Sequence, residues 1–174
     1  AFETDPAVIL LARHLASVTA RQSEDALLKR RCMDRIAELR QHPALLTLAV
    51  RGVAHDAAAK DRFHSDGRKA LRRLAETLGL DPAHYDLRSN RSHASRSGEI
   101  TLHGEELWMQ LSLHGTMADR EVIYRRVSGR HDHLGERDCY ASIRDLLAPE
   151  RFAVRLRKEL RLTPPVAEPV SLFG

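Results

Sequence analysis

Along the chain, apolar positions recur first at helical spacing and then, after Gly79, at every second residue. Val8, Leu11, Leu15 and Val18 form one stripe, preceded by Asp5-Pro6, a capping side chain and a proline suited to the first helical position. Leu28, Cys32, Ile36 and Leu39 form a second seam behind Ser23, Glu24 and Asp25, whose cap and charges suit a helix N-terminus. His42-Pro43 breaks that pattern, because the residue before proline is pushed out of the α region. A short helix over 44–53 follows. A longer one over 57–78, aligning Phe63, Ala70, Leu71, Leu74 and Leu78, completes four predicted helices. Gly67 lies inside the fourth, where it costs about 1 kcal/mol relative to alanine, so it marks a bend or a close helix contact.

Beyond Gly79, Tyr85-Asp86-Leu87 begins one candidate strand. Ile100 and Leu102 alternate with Thr101 and His103, Gly104-Glu105 supplies turn chemistry, and Leu107, Met109, Leu111 and Leu113 alternate with Trp108, Gln110, Ser112 and His114. That pattern reads as a hairpin with one buried face. A strand over 122–127 alternates less cleanly, since Ile123 and Val127 fall on the side of Arg125. Ser142-Ile143-Arg144-Asp145 resembles a capping box, Pro149 restarts the helix, and Phe152, Leu156 and Leu160 form its stripe before Thr163-Pro164-Pro165 ends it. The predicted fold is α+β. An N-terminal bundle of about four helices (1–80) packs on a small antiparallel sheet of three to four strands (84–128), followed by a C-terminal helix (142–162). All of this forms one domain over 1–163, with a flexible tail over 164–174.

At 174 residues, 43% hydrophobic and 30% charged, the chain can bury a core, and with 5% aromatics that core must be mainly aliphatic. No apolar run approaches the roughly 20 residues of a membrane span, and the start lacks the pattern of a signal peptide. No membrane partner is therefore expected, and the expected compartment is the cytoplasm. Cys32 and Cys139 stand far apart and do not suggest a disulfide framework. The formal charge of +4 is carried almost wholly by arginine, whose planar fork suits phosphates and carboxylates. GC-rich bacterial coding produces the same bias.

Four stretches hold candidate chemistry. Residues 88–98 carry Arg88, Arg91 and Arg96 among four serines with no acidic residue, as a loop that orders on a phosphate backbone would. A plain solvated loop has the same composition. Trp108, opposite the buried positions, offers either a stacking surface for nucleobases or a ring packed under a helix. Residues 126–139 bring Arg130, His131, Asp132, His133, Asp138 and Cys139 close in sequence. His131, His133 and Cys139 have zinc-ligand chemistry, with Asp132 or Asp138 as a fourth ligand, and a Cys–His nucleophile pair is the catalytic alternative. With no Cys-x-x-Cys or His-Glu-x-x-His spacing, neither a metal nor a cofactor is assigned, and an arginine–aspartate network pinning the loop explains the same residues. Arg151, Arg155 and Lys158 share one face of the last helix, able to track phosphates or to remain solvated. In the tail, Val170-Ser171-Leu172-Phe173 resembles the second half of the peptide by which bacterial replication and repair proteins dock into the sliding clamp. Pro169 stands there in place of a glutamine, and Val170 in place of the common leucine.

The segments YDLRSN (85–90), SGEITLH (97–103), LWMQLS (107–112) and GRHDHLG (129–135) resemble uncharacterised proteins of proteobacterial plasmids and integrative elements. The resemblance covers about a third of the chain. It implies the company of DNA-maintenance or conjugation genes and transfers no catalytic residue. The expected function is that of a non-enzymatic accessory protein binding DNA, RNA or a DNA-processing partner. The alternatives are an enzyme or metal-binding protein using loop 129–139, or an adaptor or dimer built on the N-terminal helices. Oligomeric state is not legible in the sequence.

Overall fold

The computed structural model describes residues 57–92, 97–113 and 120–163, together with the single positions Asp34, Gln41 and Leu48. Helix α1 (Ala57–Thr77) is built from alanine, leucine, arginine and lysine, all good helix formers, and buries Phe63, His64, Gly67, Leu71, Leu74 and Ala75 along one stripe. It ends in a tight reversal at Gly79, whose φ of 68° places it in the left-handed region. There Gly79 N–H bonds Glu76 O and Leu80 N–H bonds Ala75 O, each at 2.9 Å. Asp81 then accepts from Ala83 N–H and caps the short turn Pro82–His84 that leads into the sheet.

The five strands are β1 (Tyr85–Asn90), β2 (Glu99–Gly104), β3 (Leu107–Ser112), β4 (Val122–Arg126) and β5 (Cys139–Ala141). They lie in sequence order, each antiparallel to the next. The register sets Leu87, Leu102, Met109, Tyr124 and Cys139 in one row and Ser89, Ile100, Leu111, Val122 and Ala141 in the next. Because side chains alternate across a pleat, both rows face inward. The row between them, Arg88, Thr101, Gln110, Ile123 and Tyr140, and the row on the other side of Leu87, Asp86, His103, Trp108 and Arg125, face outward.

Helices α2 (Ile143–Leu146) and α3 (Pro149–Leu160) follow the sheet and join α1 on its inner face. Ser142 and Asp145 form a reciprocal capping box at α2, and Pro149 occupies the first turn of α3. Phe152 of α3 meets Tyr124 of β4 edge-to-face, with ring centroids 5.6 Å apart at 80°. Arg73 pairs with Glu150 at 3.2 Å and Arg157 donates to Thr77 O at 3.1 Å, tying α1 to α3. At the two sheet edges, Arg68 of α1 donates to Leu87 O in β1 and Arg155 of α3 donates to Tyr140 O in β5, both at 2.9 Å.

Of the two readings of Gly67, the close contact is the one found. A Cβ there would lie 2.4 Å from Ile100 Cδ1 and 3.0 Å from Leu111 Cδ2, and the buried Leu48 lines the same spot at 3.7 Å. Gly67→Ala gains up to about 1 kcal/mol of helix propensity but overpacks the buried Ile100 and Leu111 side chains at about 1–3 kcal/mol. A net loss of about 1 kcal/mol in urea unfolding is expected, and a stabilised variant would refute the tight contact.

The architecture corrects the expectation of a four-helix N-terminal bundle on a three- to four-stranded sheet with one helix after it. The sheet has five strands, and the described residues hold three helices, one before the sheet and two after it. Strand β5 escapes the sequence pattern because Cys139, Tyr140 and Ala141 are too few to display an alternation. The C-terminal helix is two helices because Pro149 lacks the amide that would continue the first. The helices expected over 8–18, 23–39 and 44–53, and the tail over 164–174, lie outside the described residues apart from Asp34 and Leu48.

Candidate functional site

Residues 127–138 leave β4 and fold back over the outer face of the sheet around one carboxylate. Asp132 Oδ2 accepts from Ser128 N–H at 2.9 Å and Ser128 Oγ at 3.0 Å, while Oδ1 accepts from Gly135 N–H at 2.8 Å and Leu134 N–H at 3.1 Å. These bonds, that of Gly135 foremost, hold the Asp132 carboxyl far below the ordinary range. Gly135 has a φ of 61°, and a Cβ there would stand 2.7 Å from Arg126 O, so the turn requires glycine. Glu136 N–H closes the base of the loop on Arg126 O at 2.8 Å.

Between this loop and β1 lies a cleft of about 920 Å³ lined by Asp86, Arg88, Glu105, Ser128, Gly129, Arg130, His131, Asp132 and His133. Arg88 and Arg130 each reach Asp86 at 2.9 Å, and Arg130 also donates to Ala83 O at 3.2 Å. Partial loss of water works against ionisation of Asp86, but the Arg130 and Arg88 guanidiniums outweigh it and hold its carboxyl below the usual range. With three carboxylates facing two guanidiniums, the cleft has no surplus of positive charge.

The zinc candidates are not brought together. His131 and His133 are exposed on the outer side of the sheet, whereas Cys139 packs against the core from the inner row. Among the described residues no group of three or more His, Cys, Asp or Glu side chains could hold a metal ion. The same separation keeps Cys139 from forming a nucleophile pair with either histidine. The arginine–aspartate network is what the loop contains: Arg125 binds Asp138 at 3.0 Å and His133 O at 3.3 Å while lying 4.0 Å over the ring of Trp108.

The candidate phosphate contacts divide between two flanks. Arg88 and Arg130 meet at the cleft beside β1, and Arg91 pairs with Asp61 of α1. Arg151 and Arg155 share Asp145 at 3.7 and 3.6 Å, and Arg155 also binds Glu159 at 3.0 Å, all beside β5; Lys158 continues their face of α3. Four strand spacings of about 4.8 Å, roughly 19 Å, separate the two edges. Trp108 lies mid-face beneath Arg125. Arg96, Leu172 and Phe173 fall outside the described residues.

Sequence reasoning passed over the basic residues of α1. Arg62, Lys69 and Arg72 are exposed there, and Arg68 bridges to β1 through Leu87 O and Ser89 Oγ. Their signal in the sequence is the polar side of the α1 stripe.

No family model, curated protein or solved structure matches the chain. None of the described helices is long and apolar enough to cross a membrane.

Proposed function

We propose that this chain is a non-enzymatic nucleic-acid-binding protein of a bacterial mobile element and that it grips phosphates through the flank formed by α1 and β1. The observation that carries the reading is the concentration of charge there. Across residues 57–92, Lys60, Arg62, Arg68, Lys69, Arg72, Arg73, Arg88 and Arg91 stand against Asp61, Asp66, Glu76, Asp81 and Asp86, an excess of three. Ser89, Asn90 and Ser92 add neutral donors beside them. Such a surface fixes a phosphate backbone without reading bases. The resemblance to proteins of plasmids and integrative elements supports the same reading.

Fluorescence anisotropy with short single-stranded and duplex oligonucleotides of scrambled sequence tests it. Saturable, sequence-independent binding is expected. With about four phosphates engaged, affinity should fall on the order of a hundredfold between about 50 and about 200 mM salt. No binding to either form at the lower salt would remove this reading.

A further inference from the structure

We infer that loop 127–138 is an acid-released latch, held on the outer face of the sheet by neutral His103 and let go when that ring takes up a proton. The inference stands on the geometry beneath the loop and is independent of the nucleic-acid reading.

His103 sits in the outer row of β2 between Asp86 of β1 and Trp108 of β3, and is 6% exposed because the loop covers it. Its ring lies under the loop against the backbone of Gly129 and Asp132 and edge-on to His133, with centroids 5.4 Å apart at 68°. Nε2 is buried with no hydrogen-bond partner. A neutral ring donating from Nδ1 leaves Nε2 as a bare acceptor, which a buried site tolerates far better than a bare N–H carrying charge.

Protonation places such an N–H among groups already engaged by other donors. From β1 the ring faces Asp86 and Arg88; from β4, Arg125; from the loop, Arg130, Asp132 and His133; β3 contributes the Trp108 ring, and Glu105 of the β2–β3 turn lines the same cleft beside Gly129. Asp132 already accepts from four donors, and on Asp86 a proton at His103 would compete with two guanidiniums. Burial comes first in lowering the basicity of the ring, the His133 and Arg88 charges add to it, and the Gly129 and Asp132 backbone contacts only partly oppose.

With the loop open, His103 regains its ordinary pKa of 6.5; with the loop closed it is lower. The closed state is therefore fully favoured above that value and loses ground as pH falls, by up to about tenfold per pH unit for one proton, until the closed-state pKa is passed. Release would free Arg130 from Asp86 and Ala83 O, take His133 O away from Arg125, and remove one wall of the cleft.

The test is amide hydrogen exchange on the full chain between pH 7 and 5, corrected for intrinsic rates. Gly135 and Glu136 should lose protection, each by up to about tenfold per pH unit, while amides of β2 and β3 keep theirs. His103→Gln should abolish the dependence. His64→Gln should preserve it, since that other buried histidine bonds Ser97 O at 2.9 Å beneath α1, away from the loop. Protection that ignores pH, or a dependence that survives in His103→Gln, would overturn the latch. If His103→Gln already opens the loop at pH 7, the wild-type ring decides by NMR. A midpoint below 6.5 that moves in step with the loop amides supports the latch, and one at or above 6.5 sinks it.

Discussion

Phe152→Ala is expected to lower the free energy of unfolding by about 3–5 kcal/mol, the range for emptying a buried aromatic site. Phe152 is 1% exposed and meets Tyr124, itself fully buried, edge-to-face. It is the described aromatic contact by which α3 holds β4. A domain of this size has roughly 5–15 kcal/mol in total, so the loss is a large share and the variant sits near its threshold. Urea unfolding should show a lower midpoint at unchanged slope. Phe152→Leu, which retains most of the volume, should cost about 1–1.5 kcal/mol. A loss under 1 kcal/mol in the alanine variant would mean that α3 is not part of the cooperative core.

Replacing Arg72, Arg88 and Arg91 together by alanine is expected to lower nucleic-acid affinity by one to two orders of magnitude and to flatten its salt dependence. Each lost phosphate contact removes about 0.9 from the slope of log affinity against log salt. Three full contacts would remove about 2.7. Arg88 and Arg91 must first leave Asp86 and Asp61, so their net contributions are smaller than that of Arg72, which has no ion pair among the described residues. All three are exposed, and thermal unfolding should hardly move. Arg151→Ala with Lys158→Ala, on the far flank, serves as the control. If that pair weakens binding and the first set does not, the surface lies on α3 and the assignment to α1 and β1 is wrong.

How much of this was legible in the sequence depended on segment length. Strands β2 and β3 announced themselves because Ile100, Leu102, Leu107, Met109 and Leu111 alternate around a glycine turn, and the register pairs them as a hairpin. The capping box at Ser142 was equally readable, since its two partners stand three residues apart and act locally. Strand β4 was blurred by Ile123, an apolar residue that faces outward opposite Tyr140. Strand β5 was invisible, because its identity comes from pairing with Tyr124 and not from its own three residues. The loop misled for a related reason. Its histidines and cysteine are neighbours in sequence, but the two histidines land on the outer side of the pleated sheet and the cysteine on the inner. Asp132 looked like a possible ligand, and only the fold reveals four donors closing around it. His103 read as the polar half of an alternation; nothing local signals that a distant loop will cover it.

An open sheet in sequence order has two unpaired edges, and unpaired edges recruit other chains. Here each edge already has an occupant. A guanidinium from α1 takes Leu87 O on β1, and one from α3 takes Tyr140 O on β5. An incoming strand would have to dislodge a charged donor at either side and strand it beside the vacated carbonyl's neighbours. The two helices that close the core thus also guard the margins of the sheet, so resistance to aggregation is tied to the docking of those helices: loosening α1 or α3 uncovers a sticky edge at the same moment that it exposes the core.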